Sequence, residues 1–216
     1  ATATVAGPAQ NLIPQTITAF AGTTSPVTYG SGPYTLSATG GASGNPVVVS
    51  VDSSRSAGVA TTVGNTLTIT GVGTLVIDIN QAGNATYQVA PQVQETITVN
   101  QASQAITFTT PSSATTSVVY GASPITLAAT GGGSGSAVTF SLDASSTAGA
   151  GSLSGSTLTI TGVGTIVVDA NQAGTANYSA ATQVQVSIAV TAATQTITFT
   201  SPATSGASVT YPGTVT

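Results

Sequence analysis

Six side chains hold all the formal charge this sequence can bring to a reaction: Asp52, Asp78, Glu95, Asp143, Asp169 and Arg55. The chain has no His, no Cys and no Lys. Its many Ser hydroxyls therefore have no base to activate them, and no amine or thiol is present as a nucleophile. A pair of carboxylates can hydrolyse a glycosidic bond. Here Asp52, Asp78 and Glu95 read as isolated residues, and Asp78 and Asp169 recur in corresponding places of a repeat. Calcium needs several carboxylates with carbonyls, often as D-x-D-x-D-G. The runs DSSRS from Asp52 and DASST from Asp143 offer one Asp each and read as solvated turns. The chain is accordingly read as non-enzymatic, with no catalytic, cofactor-binding or metal-ligating residue assigned.

The same scarcity excludes other classes. Charged residues make up 3% of the chain, against about 25% in ordinary soluble proteins. Nucleic acid requires clustered Lys and Arg to neutralise phosphate, and anionic lipid requires them too. No apolar run approaches the roughly 20 residues that cross a bilayer, so membrane insertion is not expected. Without Cys there are no disulfides and no thiolate zinc. Without Lys, a Lys–Asn isopeptide brace has no amine to start from. Ala1 opens the chain without a Met, as a mature product or an excerpt of a longer chain does.

The elements that position these residues are organised by one repeated stretch. Thr66–Gly83, TLTITGVGTLVIDINQAG, returns as Thr157–Gly174, TLTITGVGTIVVDANQAG, a period of 91 residues. A chain with such a period is an array of small domains. Units open at Gln15, Gln104 and Gln195. The division read from these openings is a last strand of a preceding unit, or a free donor strand, at 1–14. A first repeat follows at 15–103, a second at 104–194, and the opening strands of an incomplete third at 195–216.

Within each unit, short alternating runs lie between Gly, Pro, Asn and Ser clusters, about seven strands in some 90 residues, which predicts an all-β sandwich of immunoglobulin size. Alternation assigns the inward side chains. In repeat two the inward set runs from Ile106 and Phe108, through Leu158, Ile160, Ile166 and Val168, to Ile188 and Val190. In repeat one it runs from Ile17 and Leu36, through Leu67, Leu75 and Ile77, to Ile97 and Val99. Glu95 takes the inward place that Val186 holds in repeat two. A lone buried carboxylate is costly, so a bulge or an exposed sheet edge is expected there. The run TITAF in repeat one also suggests a bulge.

Tyr87 and Tyr178 follow the two Gln-Ala-Gly turns and are read as structural corners that cap the approach to the last strands. Asn84-Ala-Thr86 and Asn177-Tyr-Ser179 fit the N-glycosylation acceptor pattern. The ladders Thr66, Thr68, Thr70 and Thr157, Thr159, Thr161 are similar to the flat threonine faces of ice-binding surfaces. They are equally what a neutral, wet strand face requires, and that plainer reading is preferred. The joints Asn100–Ser103 and Thr191–Thr194 are about four residues each and leave little room for one unit to swing against the next.

The order Q-[TA]-I-T-F, then [TV]-Y-G, P-x-T-L-x-A-T-G-G, S-G-S-T-L-T-I-T-G and D-x-N-Q-A-G-x-x-x-Y runs through repeat two from Gln104 to Tyr178. Repeat one carries it with GNTLTITG and ITAF as its departures. This pattern resembles the bacterial Ig-like tandem repeats of large surface and secreted proteins, the MBG-like and Big-like repeats. The resemblance implies tandem Ig-like sandwiches at the cell surface or outside the cell, with no catalytic motif to carry over. The expected partners are neighbouring copies or adjacent repeats. The leading reading is a segment of a rigid stalk or filament, polymerising by strand complementation between its incomplete ends. The alternative is an adhesin or carbohydrate-binding module that takes a glycan with the loops at the sandwich ends.

Overall fold

The computed structural model describes residues 11–198. Residues 1–10 and 199–216, which include most of the expected preceding strand and of the third opening, lie outside the described residues. The described chain is all β. Repeat one contributes β1 (Thr18–Ala21), β2 (Val27–Thr28), β3 (Tyr34–Thr35), β4 (Ser37–Thr39), β5 (Val47–Val51), β6 (Ala60–Val63), β7 (Thr66–Ile69), β8 (Gly73–Gln81) and β9 (Val93–Asn100). Repeat two matches it strand for strand. Its elements are β10 (Thr107–Thr110), β11 (Thr115–Val119), β12 (Ile125–Thr126), β13 (Ala128–Thr130), β14 (Val138–Leu142), β15 (Gly151–Ser154), β16 (Thr157–Ile160), β17 (Gly164–Gln172) and β18 (Val184–Thr191).

One layer of the first sandwich is the sheet β2-β9-β8-β5; the other combines β3-β7-β6 with the pair β1-β4. Only Leu36 separates β3 from β4, and its N–H donates to the Asn65 carbonyl at 2.8 Å. The nine segments thus reduce to the expected seven strands, because the first strand is split into β1 and β2 and the second into β3 and β4. Not every pairing is antiparallel. β2 runs parallel to β9 and β11 parallel to β18, since the first strand crosses from one sheet to the other on its way through the sandwich.

The inward parity read from the sequence holds. Ile17, Leu36, Leu67, Leu75, Ile77, Ile97 and Val99 are buried in one cluster, and Ile106, Phe108, Leu158, Ile166, Val168, Ile188 and Val190 in a second. Each repeat has its own core. Val27, Val59, Ile79 and Ala150 are buried as well, although none of them was expected from the alternation. Val27, Val59 and Ala150 sit in a two-residue strand or in turns, where two-residue periodicity has too few cycles to show, whereas Ile79 continues the alternation of Leu75 and Ile77 along β8.

Glu95 pairs with Ile77 in a ladder that runs without a register shift from Gly73↔Val99 to Ile79↔Val93. There is no bulge at Glu95. The relief comes from the edge: β2 pairs only with Val99 and Asn100, so the outer side of β9 beside Glu95 is left uncovered and the carboxylate is half-buried. The bulge expected in TITAF is present between Thr18 and Ala21, and Ala19 adopts φ +53° within it. Repeat two has a shift at the same place, between Phe108 and Thr110, so this kink belongs to the fold rather than to the inserted Ala.

Because the cores are separate, Leu67→Ala, at a fully buried side chain, should destabilise the first sandwich alone by about 2–5 kcal/mol. Urea unfolding followed separately in the two repeats should resolve two transitions, with only the first moved.

Candidate functional site at the joint between the sandwiches

Glutamines hold the end of each sandwich shut. Gln15, buried at the first inward position, donates from Nε2 to the carbonyls of Gln88 (2.8 Å) and Ala82 (3.2 Å) and accepts from Ser43 N at 2.9 Å. Gln81 closes the last inward position of β8. It accepts from Gly41 N at 2.7 Å and donates to Asn45 O at 2.8 Å. Gln104 and Gln172 repeat the arrangement, with Ser134 N, Ala173 O, Gly132 N and Ser136 O as partners. A buried amide left unbonded would cost about 1–3 kcal/mol, and the loops fold so as to bond each of these. Gly40 and Gly131 have no Cβ because the glutamine amide occupies that space. The sequence reading noted these glutamines only as repeat signatures. Their signal was parity: Gln81 follows Leu75, Ile77 and Ile79 on the inward side.

Tyr87 and Tyr178 lie in the loops that these clamps enclose. Asn84 N donates to Tyr87 O at 2.9 Å, and Thr175 N donates to Tyr178 O at 2.8 Å, closing equivalent turns. Each loop receives the incoming chain through a parallel bridge, Ile13 at Tyr87 and Ala102 at Tyr178. The Tyr178 ring lies over Gly133, where an added Cβ would stand 2.7 Å from the phenol. Repeat one has Ala42 at that place.

The two sandwiches meet at this corner. Tyr29, in the turn after β2, sets its ring edge-on to Tyr178, with centroids 5.5 Å apart and planes at 78°. Its N–H donates to Asn100 O at 2.8 Å, so the end of β9 and the ring are fixed together. The chain then passes straight into the second sandwich. Gln101 Nε2 donates to Thr175 O at 2.9 Å, Ala102 N to Asn177 O at 3.0 Å, and Ser179 N to Ala102 O at 2.9 Å. Tyr29 was not singled out from the sequence, since its partner belongs to the next repeat.

The acceptor-pattern asparagines do different work. Asn84 Oδ1 accepts from Thr86 N and Tyr87 N at 2.8 Å each, and its Nδ2 donates to Ser43 O at 2.8 Å. Asn177 is half-buried at the joint, where its carbonyl takes Ala102 N. All six ladder threonines are exposed, and Thr70 and Thr161 also donate to the carbonyls of Gly58 and Gly149.

Of the carboxylates read as isolated, Asp52 and Asp78 are joined to each other on the outer face of the four-stranded sheet, and in repeat two Asp143 and Asp169 are joined likewise. Asp52 Oδ2 lies 3.5 Å from Arg55 Nε. Arg55 Nη1 donates to Gln94 Oε1 at 2.9 Å, and Gln94 Nε2 donates to Asp78 Oδ1 at 2.7 Å. In repeat two Gln185 Nε2 reaches both Asp169 Oδ1, at 2.7 Å, and Asp143 Oδ2, at 3.2 Å. Glu95 belongs to neither chain. Hydrogen bonds from the Ser54 hydroxyl to Asp52 and from the Ser145 hydroxyl to Asp143 hold both carboxyls below their ordinary range. No carboxylate lines the hollows around Leu127–Gln172, Ile106–Val186, Phe20–Tyr34 or Val138–Ser156.

No protein-family model matches the chain, and no curated protein matches it. Among solved structures the chain is similar to human mucin-like protocadherin EC1-2, with TM-score 0.33 and 13% identity over 81% of this chain and 98% of that one. It is similar to Drosophila N-cadherin EC1-4, with TM-score 0.32 and 14% identity over 82% of this chain and 51% of the other. It is also similar to domains 1-6 of the surface layer protein SbsC, with TM-score 0.34 and 15% identity over 77% of this chain and 24% of that one. The chain thus spans about half of the N-cadherin fragment and about a quarter of the SbsC one. Likenesses of this size leave the fold resting on its own ladders and assign no activity.

Two outcomes follow. Tyr29→Ala removes an aromatic pair whose geometry alone is worth about 0.5–1.5 kcal/mol. Hydrogen exchange at the Ala102 and Ser179 amides should then quicken by a few-fold to about tenfold, with the β-strand amides of both cores unmoved. Acid should also act through Asp52 and Asp143. A carboxyl whose folded pKa is lowered adds stability above its unfolded value, near pH 4, and loses it as pH falls through the folded value. Asp143→Asn should therefore flatten the fall in thermal stability below about pH 4 and leave the profile at neutral pH level.

Proposed function

We propose that this chain is a segment of an extracellular stalk or filament built from tandem Ig-like repeats of the bacterial surface kind, serving to span distance rather than to transform a substrate. The observation that carries the reading is the joint. A flexible tether between binding modules needs unbonded linker residues, whereas here Asn100, Gln101, Ala102 and Gln104 are each hydrogen-bonded to one sandwich or the other. An interlocked joint suits a load-bearing spacer. The near-absence of charge supports the same use, since chains with little net repulsion pack closely side by side.

In its finer form the stalk grows by addition of copies end to end, the opening segment that begins at Gln195 completing a neighbour. The glycan-binding alternative has less behind it. Stacking platforms are exposed aromatic rings, and among the described tyrosines Tyr29, Tyr34, Tyr87 and Tyr178 are half-buried and Tyr120 alone is exposed.

Small-angle scattering of the chain, before and after insertion of a Gly-Ser-Gly-Ser-Gly linker between Asn100 and Gln101, tests the stalk. The native chain should give one extended conformation with a fixed maximum dimension, and the insertion should broaden it into a distribution. A native profile already as broad as that of the insertion would overturn the reading.

A further inference from the structure

In each repeat a segment of the first strand lies beside the last strand and runs the same way. In repeat one these are β2 and β9, and in repeat two β11 and β18. The chain enters each repeat ahead of that segment, at Gln15 or Gln104, and leaves from the end of the last strand, at Asn100 or Thr191. In a stalk, tension therefore draws β2 or β11 back toward the entrance and β9 or β18 forward toward the exit. Parallel strands drawn in opposite directions slide along each other, and the evenly spaced bonds between them are loaded together rather than one at a time. The length of this ladder sets the tension that a repeat withstands.

The two ladders differ in length. β11 and β18 are in register over five pairs, from Thr115↔Ser187 to Val119↔Thr191. β2 and β9 are in register over two, Val27↔Val99 and Thr28↔Asn100. Both finish alike, with Tyr120 N donating to Thr191 O and Tyr29 N to Asn100 O, each at 2.8 Å. They begin differently. Ser187 N donates to the Ala114 carbonyl at 2.8 Å, so main-chain bonding starts ahead of Thr115. In repeat one the Thr98 amide, at the repeat position of Ala189, donates instead to the Ser25 hydroxyl at 3.0 Å. A side chain has replaced the main chain there, and the ladder goes no further. Chain length is the cause: Tyr29 follows Gln15 by 14 residues, whereas Tyr120 follows Gln104 by 16. Repeat one has less chain to lay beside its last strand.

The other loaded pair differs in the same sense. β10 and β13 pair at three positions, β1 and β4 at two. The entrance clamp runs the opposite way, with three bonds at Gln15 against two at Gln104. One side-chain bond does not offset three missing ladder pairs.

We propose that the two repeats form a graded mechanical element in which repeat one yields to tension before repeat two. The stalk then lengthens by one sandwich while the other still holds. This rests on the stalk reading, which supplies the tension, and adds the order in which its units give way. The order is kinetic, since forced unfolding follows the unfolding rate rather than the equilibrium stability.

Single-molecule pulling on the whole chain through its two ends tests it. Each sandwich should release roughly 25–30 nm, at ~3.5 Å for each of some 90 residues less the folded length, so the two unfold as separate steps. The second step should need about twice the force of the first, because five ladder pairs share the load against two. Leu67→Ala should lower the first step alone, which assigns it to repeat one. Thr116→Pro should lower the second alone. Alternate residues of β11 donate to β18, as Tyr120 does, so proline at 116 removes a ladder donor. β11 is an edge strand, and the rest of its sheet keeps its bonds. Circular dichroism checks that both variants fold; if Thr116→Pro does not, Leu67→Ala still decides which repeat yields first. Two steps at one force, or a first step that Leu67→Ala leaves unmoved, would overturn the proposal. Equal forces from a chain that still gives the single extended scattering conformation would remove the grading and leave the stalk reading intact.

Discussion

The constraint on which this molecule depends is the absence of slack between Asn100 and Gln104. Asn100 O takes the Tyr29 amide, Gln101 and Ala102 bond the Thr175–Ser179 turn, and Gln104 is already inside the second sandwich. A strand of the first unit therefore becomes a strand of the second with only Ser103 unengaged on the way. The edge-on contact of Tyr29 with Tyr178 adds a second attachment off the chain axis. One covalent connection leaves free rotation about it, and a contact to one side removes that freedom. The two sandwiches are thereby tied at two points.

The interlocking is achieved almost without ions. With a single cation in the chain, Arg55, polar closure falls to amides and main chain. A glutamine is well suited to this, because it brings a donor and an acceptor into a buried position without the desolvation penalty of a charge. Gln15 and Gln81 in repeat one, and Gln104 and Gln172 in repeat two, each tie loops that are tens of residues away in sequence. The carboxylates follow the same pattern. Asp78 and Asp169 are each met by a glutamine on the neighbouring strand rather than by a Lys or Arg.

The core was legible because alternation is a direct record of which face of a strand is covered. Leu75, Ile77 and Ile79 point inward for the same reason that Thr74 and Asp78 do not. Features that depend on where a loop returns were not legible. Gln81 has the inward parity of those residues, but its partners at Gly41 and Asn45 are some 40 and 36 positions away. The chain joining Asp52 through Arg55 and Gln94 to Asp78 was read as isolated charges, since its members come from a turn, β9 and β8. Glu95 was understood in its energetics, and of the two reliefs expected, a bulge or an exposed sheet edge, the edge is the one present. Tyr29 escaped notice because its role appears only once the neighbouring repeat is in place.

The central claim is that the two sandwiches hold one mutual orientation, fixed by the Tyr29–Tyr178 contact and the bonded joint. Residual dipolar couplings of backbone amides in a weakly aligning medium report that orientation directly. The account predicts that couplings from both sandwiches fit a single alignment tensor of equal magnitude and direction. Two tensors of clearly different magnitude would mean that the repeats reorient independently, and would contradict it.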